Sequence, residues 1–158
     1  MTRRAIAAVF IGLLAGSLAV LAADKPDFSG TWKLNVDKSD FGPMPKPERA
    51  EYVIVHKEPE LNVKSTAVGS MGEVTNDVKI VTDGTEFTNT MRDGQVVKGT
   101  AKWDGKVLVI RQTLDVQGTT VTFVQKWSLS DDGKTITQDL NISTEQGELV
   151  QKAVLEKI

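Results

Sequence analysis

The chain has no cysteine among its 158 residues, and histidine occurs only once. Without cysteine there is no disulfide framework, thiolate nucleophile or cysteine-ligated metal centre. A single histidine likewise excludes a histidine cluster, so we predict neither a metal site nor a cofactor. The formal net charge of −2 argues against nucleic acid as a partner, because such a partner requires a strongly basic face.

The first 23 residues have the organisation of a signal peptide. Arg3 and Arg4 precede an apolar stretch, and the small residues Ala22 and Ala23 stand before the polar Asp24. We therefore predict cleavage near Ala22 or Ala23, a periplasmic or secreted location, and no membrane association after the leader is removed. An uncleaved anchor is the alternative, because an apolar run of roughly 18 residues approaches the length of a spanning helix. The predicted division is a leader over residues 1–23 and one domain over residues 24–158.

Apolar and polar residues alternate with period two from Phe28 onward, and no window shows helical spacing. The pattern predicts an all-β domain. Its expected strands are Ser29–Val36, Glu51–Lys57, Leu61–Val68, Glu73–Thr82, Thr85–Met91, Gln95–Trp103, Lys106–Val116, Thr119–Leu129, Lys134–Ser143 and Glu148–Glu156.

Asp-Gly pairs at residues 83–84, 93–94, 104–105 and 132–133 separate several of these strands. Such pairs favour tight hairpins, since Gly and Asp tolerate φ > 0. Short connections leave no room for crossovers, which predicts an antiparallel up-and-down meander. Pairing the first strand with the last would remove both exposed edges, so we expect a closed barrel of about 8–10 strands. A flattened two-sheet sandwich with a dry core is the alternative.

The turns also predict the pairing across each hairpin, because residues that face each other share one side of the sheet. A two-residue turn at Asp93-Gly94 would pair an inward residue with an outward one. We therefore predict a three-residue loop with a bulge at this position. The pairs expected elsewhere are Ile80 with Phe87, Val78 with Asn89, Ala101 with Leu108, Gly99 with Ile110, Leu129 with Ile136, and Trp127 with Gln138.

The opening run Phe28–Leu34 (FSGTWKL) resembles the first strand of the calycin superfamily, which comprises the lipocalins and fatty-acid-binding proteins. The run Tyr52–Ser65 (YVIVHKEPELNVKS) is similar to the second hairpin of fatty-acid-binding proteins, and Leu155–Lys157 is similar to their final strand. The resemblance implies a bacterial exported member of this lipocalin-like family. It implies binding of a small ligand inside the barrel.

Two departures from that family bear on the ligand. The segment Asp37–Ala50 contains Pro43, Pro45 and Pro47 and is too short for the helix pair that covers the family's barrel mouth. The family's Arg and Tyr that hold a carboxylate align here with Ala153 and Leu155. We therefore expect a neutral hydrophobic ligand, because a buried carboxylate without a partner is costly.

The face of the strands that contains Trp127 is expected to line the interior. Inward amides recur at a spacing of thirteen residues, which indicates water, a polar ligand group or a mutual hydrogen-bond network. Alternatively, the spacing of thirteen residues is only the combined length of one strand and one turn, and some of the amides face solvent. The predicted ligand-binding residues are Asn76, Phe87, Asn89, Met91, Gln112, Phe123, Gln125, Trp127 and Gln138.

We predict no catalytic residue, because the lone His56 lies among apolar neighbours and no nucleophile motif occurs. Trp32 is expected to plug one end of the barrel and Arg111 to face outward. Phe41 and Met44 could cap the mouth or pack on the outside. Three functions remain open: a carrier for a small hydrophobic compound, a barrel that binds a protein partner through its loops, and a cofactor-free enzyme.

Overall fold

The computed structural model describes residues 24–70 and 72–158, and every regular element in this part of the chain is a β-strand. The predicted leader lies outside the described residues. Within those residues, no helix has the length and apolar character needed to span a bilayer. The strands are Gly30–Leu34 (β1), Arg49–Lys57 (β2), Glu60–Gly69 (β3), Gly72–Val81 (β4), Glu86–Thr90 (β5), Val96–Asp104 (β6), Val107–Val116 (β7), Thr119–Leu129 (β8), Thr135–Thr144 (β9) and Gly147–Lys157 (β10).

These ten strands form one antiparallel sheet that curls into a nearly closed barrel. The order along the sheet is β4-β3-β2-β1-β10-β9-β8-β7-β6-β5. The first strand pairs with the last, with Leu34 opposite Leu155. The predicted meander and its closure are thus confirmed, and the sheet is interrupted between β4 and β5.

The register of the β8–β9 hairpin agrees with the expectation from Asp132-Gly133. Leu129 lies opposite Ile136, and Trp127 lies opposite Gln138. Inward and outward faces of both strands therefore follow the sequence alternation.

The loop between β5 and β6 contains the predicted bulge. The Met91 N–H donates to the Gln95 carbonyl at 2.8 Å, and the Gly94 N–H donates to the Met91 carbonyl at 3.0 Å. Gly94 has φ 84°, which a residue without Cβ adopts readily. A three-residue loop, residues 92–94, is the result.

The predicted register at Asp104-Gly105 is wrong by two residues. Trp103 lies opposite Leu108 and Ala101 opposite Ile110, so Gly105 and Lys106 form the turn. A shift of two leaves every side chain on its predicted face, because side chains alternate with period two.

The predicted pairing at Asp83-Gly84, Ile80 with Phe87 and Val78 with Asn89, is wrong, because β4 and β5 share no ladder. Thr82 explains the separation. Its N–H donates to the Pro59 carbonyl at 2.8 Å, which holds the end of β4 on β3. The chain then turns away through residues 83–85 before β5 begins.

The packed core occupies one end of the barrel, which we call the floor. Side chains from all ten strands and from the segment before β1 meet there with little or no exposed surface. They include Phe28, Trp32, Ile54, Leu61, Leu108, Ile110, Trp127, Ile136 and Leu155. Burying an aliphatic or aromatic side chain of this size stabilises the fold by about 1.5–3 kcal/mol, so the floor is the main source of stability.

Candidate functional site

The inward face is packed at the floor and incompletely filled towards the other end, which we call the upper half. In the upper half the inward apolar side chains keep part of their surface exposed although they lie inside the barrel. The ladders place on this face Val74 and Val78 of β4, Val121 and Phe123 of β8, Leu140 and Ile142 of β9, and Leu149 of β10. This half of the barrel is therefore the candidate binding site.

Phe28 separates the floor from solvent below. Its ring stacks on His56 and Trp103, with centroids 5.7 and 5.8 Å apart, and meets Trp127 edge-on at 5.7 Å. Its carbonyl accepts a hydrogen bond from Trp32 Nε1 at 3.0 Å. Trp32 is fully buried, so the predicted plug is confirmed.

Glu58 collects hydrogen bonds at the rim of the floor. Its Oε1 accepts from Trp103 Nε1 at 2.8 Å, Thr82 Oγ1 at 2.9 Å and His56 Nε2 at 3.0 Å, and its Oε2 accepts from Lys25 Nζ at 2.8 Å. Burial raises the pKa of Glu58, but the hydrogen bonds outweigh it and lower the pKa from 4.5 to about 2.

His56 is held on both ring nitrogens. The Phe28 N–H donates to Nδ1 at 3.3 Å, and Nε2 lies 3.0 Å from Glu58 Oε1. An accepting Nδ1 assigns the proton to Nε2, which then donates to the carboxylate. Both nitrogens are thus used in holding the floor together.

Three of the predicted site residues form a hydrogen-bonded chain above the floor. Trp127 Nε1 donates to Gln125 Oε1 at 3.0 Å, and Gln125 Nε2 donates to Gln112 Oε1 at 3.3 Å. Gln138 faces inward beside Trp127, and its buried Nε2 has no partner among the described residues. The expected mutual amide network is therefore present for Gln112 and Gln125 and absent for Gln138.

A cavity of ≈ 450 Å³ lies at the gap between β4 and β5. A cavity of this volume falls in the range of small-molecule sites. Four of the predicted site residues, Asn76, Asn89, Met91 and Gln112, contribute to its lining. The larger depression, ≈ 620 Å³, is lined mainly by residues of outward parity around Lys33.

Asn89 uses its side chain to connect the two strands at this gap. Its Oδ1 accepts from the Lys79 N–H at 3.0 Å, and its Nδ2 donates to the Lys79 carbonyl at 2.9 Å. We call this pair of bonds the Asn89 bridge. It replaces a backbone ladder, so the amide already has protein partners.

Met91 lies one residue beyond the end of β5, so the expected strand is one residue too long; the side chain is 48% exposed and contributes to the lining of the cavity at the gap. The three-residue loop that carries the bulge begins at the next residue, Arg92, and the alternation ends there. Phe87 is 7% exposed and packs in the floor. Its ring covers Gly99, where an added Cβ would lie 2.7 Å from Phe87 Cζ and 2.9 Å from Gln112 Cγ.

The segment 37–48, which we call the strap, runs along β10 and crosses to β3. Asp40 and Lys152 exchange two backbone hydrogen bonds of 2.8 Å, and the Glu48 N–H donates to the Val68 carbonyl at 2.8 Å. Between these points, Gln151 Nε2 donates to the Phe41 carbonyl at 3.1 Å. The strap thus extends over the upper half without forming a helix.

Phe41 and Met44 behave differently within the strap. Phe41 is half-buried and packs against the core cluster, whereas Met44 is 48% exposed. Phe41 therefore packs on the protein, whereas Met44 does not, and a cap over the mouth stays a prediction.

Tyr52 is an inward residue of the upper half that the sequence interpretation missed. The ladders pair it with Trp32 and Ser65, and burial raises the pKa of its phenol. Its hydroxyl has no hydrogen-bond partner among the described residues. The signal was available, because a tight hairpin at residues 58–59 places Tyr52 opposite Ser65 by parity.

Solved structures match this chain in fold, whereas no family model and no curated protein sequence matches it. A mutant of the REP1-NXSQ fatty acid transporter has a TM-score of 0.58 at 17% identity, covering 84% of this chain and 98% of that chain. A secretory abundant heat soluble protein from Ramazzottius varieornatus has a TM-score of 0.60 at 12% identity, covering 82% and 94%. Zebrafish ileal bile acid-binding protein complexed with cholic acid has a TM-score of 0.53 at 18% identity, covering 83% and 98%. The chain therefore has the fold of the fatty-acid-binding-protein-like barrels, as its opening strand predicted.

Proposed function

We propose that this protein binds a small, uncharged, apolar molecule in the upper half of its barrel. The observation that carries the proposal is the ring of inward apolar side chains that remain partly exposed inside a barrel whose floor is packed. Covering such surface with an apolar ligand is favourable by about 25 cal/mol per Å². Structural neighbours that include a fatty acid transporter and a bile acid-binding protein support a hydrophobic ligand.

The preference for an uncharged ligand rests on the charges that face the interior. Ala153 and Leu155 point inward on β10, opposite Gln138 and Ile136. Arg111 is exposed on the outer face, as expected from its parity. Lys157 is the inward cation of the described strands, and its Nζ lies over the Trp32 ring at 5.1 Å, at the floor. On the inward face of the described strands, a carboxylate in the upper half would therefore lack a cationic partner, which is costly. Arg92 lines the cavity at the gap, but it is exposed, and the acidic Asp77 lines the same cavity.

We propose binding rather than catalysis because the groups that could act as a base, His56 and Glu58, are already engaged in hydrogen bonds within the protein. His56 has both nitrogens occupied by protein groups, and Glu58 is saturated with donors. A general base needs a free lone pair towards the substrate. The leader sequence adds the proposal that binding occurs in the periplasm or outside the cell.

A protein partner is the second candidate, with less support. It was expected to use an exposed apolar patch around Phe41 and Met44. Of these two, Phe41 packs on the core and Met44 is exposed. A single exposed side chain is ordinary on a protein surface.

The test is a titration of lipid-stripped protein with the uncharged dye Nile red. We expect saturable binding with one site, blue-shifted dye emission and quenching of tryptophan emission. Phe123→Asn should weaken binding about tenfold or more, because it removes inward apolar surface of the upper half. Val124→Asn is the matched control, since the next residue of β8 faces outward.

Competition then tests the charge preference. Methyl oleate should displace Nile red more effectively than oleate at pH 8. Absence of any saturable dye binding, or equal sensitivity to Phe123→Asn and Val124→Asn, would contradict the binding role. Stronger competition by oleate would contradict only the preference for an uncharged ligand.

A further inference from the structure

In the described part of the barrel, a ligand could pass at the strap or at the β4–β5 gap, and different numbers of hydrogen bonds hold these two places closed. At the strap, contacts at Asp40, Phe41 and Glu48 contribute four hydrogen bonds to β10 and β3. At the β4–β5 gap, the Asn89 bridge contributes two hydrogen bonds, both from one side chain. Opening the gap therefore breaks fewer interactions than lifting the strap.

The gap also leads directly to inward residues. The inward side chains that line the cavity at the gap are Val78 and Val97 and the polar Ser65, Asn76 and Gln112, from four different strands, and the exposed, charged Asp77 and Arg92 also contribute to its lining. Asn76 faces inward by register and is nevertheless exposed, because it lies where the sheet is interrupted. Solvent thus reaches the interior at this point.

We propose that the ligand enters and leaves through the β4–β5 gap, with the Asn89 bridge limiting the rate, and that its polar end stays in the gap cavity. This inference rests on the proposed binding function. Ser65, Asn76 and Gln112 all form hydrogen bonds without carrying charge. They fit a hydroxyl or carbonyl group on an otherwise apolar molecule, whose remainder extends towards Phe123.

The kinetic test compares two asparagines by stopped-flow measurement of Nile red binding. Asn89→Ala removes both bonds of the bridge and should raise the association and dissociation rate constants together, each by about tenfold. The equilibrium constant should change much less, because the same opening serves both directions. Asn62→Ala on the outer face of β3 is the control and should leave both rates unchanged.

The strap is tested by locking it. Asp40 and Lys152 form a hydrogen-bonded antiparallel pair, for which the Cα separation is about 5.5 Å and suits a disulfide. The chain has no cysteine of its own, so D40C combined with K152C forms only this bond. Oxidised and reduced forms should exchange Nile red at equal rates.

The polar end is tested with Gln112→Leu, which should weaken competition by 1-dodecanol about fivefold or more while leaving that by dodecane unchanged. Slower exchange in the oxidised strap variant, together with unaltered rates in Asn89→Ala, would overturn the gap as the entrance. Equal weakening for both competitors would overturn the placement of the polar end. Failure of the parent protein to bind Nile red would instead count against the proposed function itself.

Discussion

Glu58→Gln should destabilise the protein without changing the shape of the side chain. The carboxylate joins four donors from separate parts of the chain, namely Lys25, His56, Thr82 and Trp103. An amide keeps one acceptor oxygen, loses the charge and directs an NH₂ group at one of these donors. The variant therefore leaves a donor at the rim of the floor without an acceptor.

The magnitude follows from the pKa. A decrease from 4.5 to about 2 corresponds to at most about 3.4 kcal/mol of stabilisation above pH 4.5. The side chain is 34% exposed, so solvent screening reduces this figure to roughly 1–2 kcal/mol. Because the pKa is lowered in the folded state, the contribution is present above pH 4.5 and is lost as the pH falls through about 2.

The assay is urea unfolding followed by tryptophan emission at pH 7 and near pH 2. Glu58→Gln should lower the free energy of unfolding by about 1–2 kcal/mol at pH 7 and by much less near pH 2. Glu60→Gln, in the same hairpin, is the control and should be near neutral. A loss that is the same at both pH values would refute the assignment of the effect to the ionised carboxylate.

Two further substitutions test the packing. Gly99→Ala should lower the free energy of unfolding in urea by about 1–3 kcal/mol, because the added methyl group displaces the Phe87 ring and the aliphatic part of Gln112. An unchanged unfolding midpoint would show that these side chains move aside without loss of stability. Phe28→Ala should cost about 3–5 kcal/mol and shift tryptophan emission to the red, because the ring covers Trp103; unshifted emission would contradict its role as the lower seal of the floor.

The inward face was predictable because a register error of two residues leaves each side chain on the same face of the sheet. Gln112 was expected on the inward face from a hairpin whose register was wrong by two residues, and it still faces inward. Phe123, Gln125 and Gln138 follow the same rule across β8 and β9. Alternation with period two is a local property of each strand, so it does not depend on how far neighbouring strands are shifted.

The gap was not predictable from the turn. Asp83-Gly84 resembles the other Asp-Gly turns, yet β4 and β5 remain unpaired. The cause is remote in sequence, since Thr82 bonds to the Pro59 carbonyl and to Glu58 in a different hairpin. For the same reason the amide of Asn89, expected to meet a ligand, bonds to the Lys79 backbone instead.

The amino-acid order by itself determined the all-β meander, its closure and the identity of the inward side chains, because alternation and short turns act over a few residues. Only the tertiary structure decided where the barrel is packed and where it stays open. Phe28, Glu58 and the strap each join segments that are far apart in the chain. Contacts of that kind leave no periodic signal, and they are what divide the interior into a filled floor and an upper half with room for a ligand.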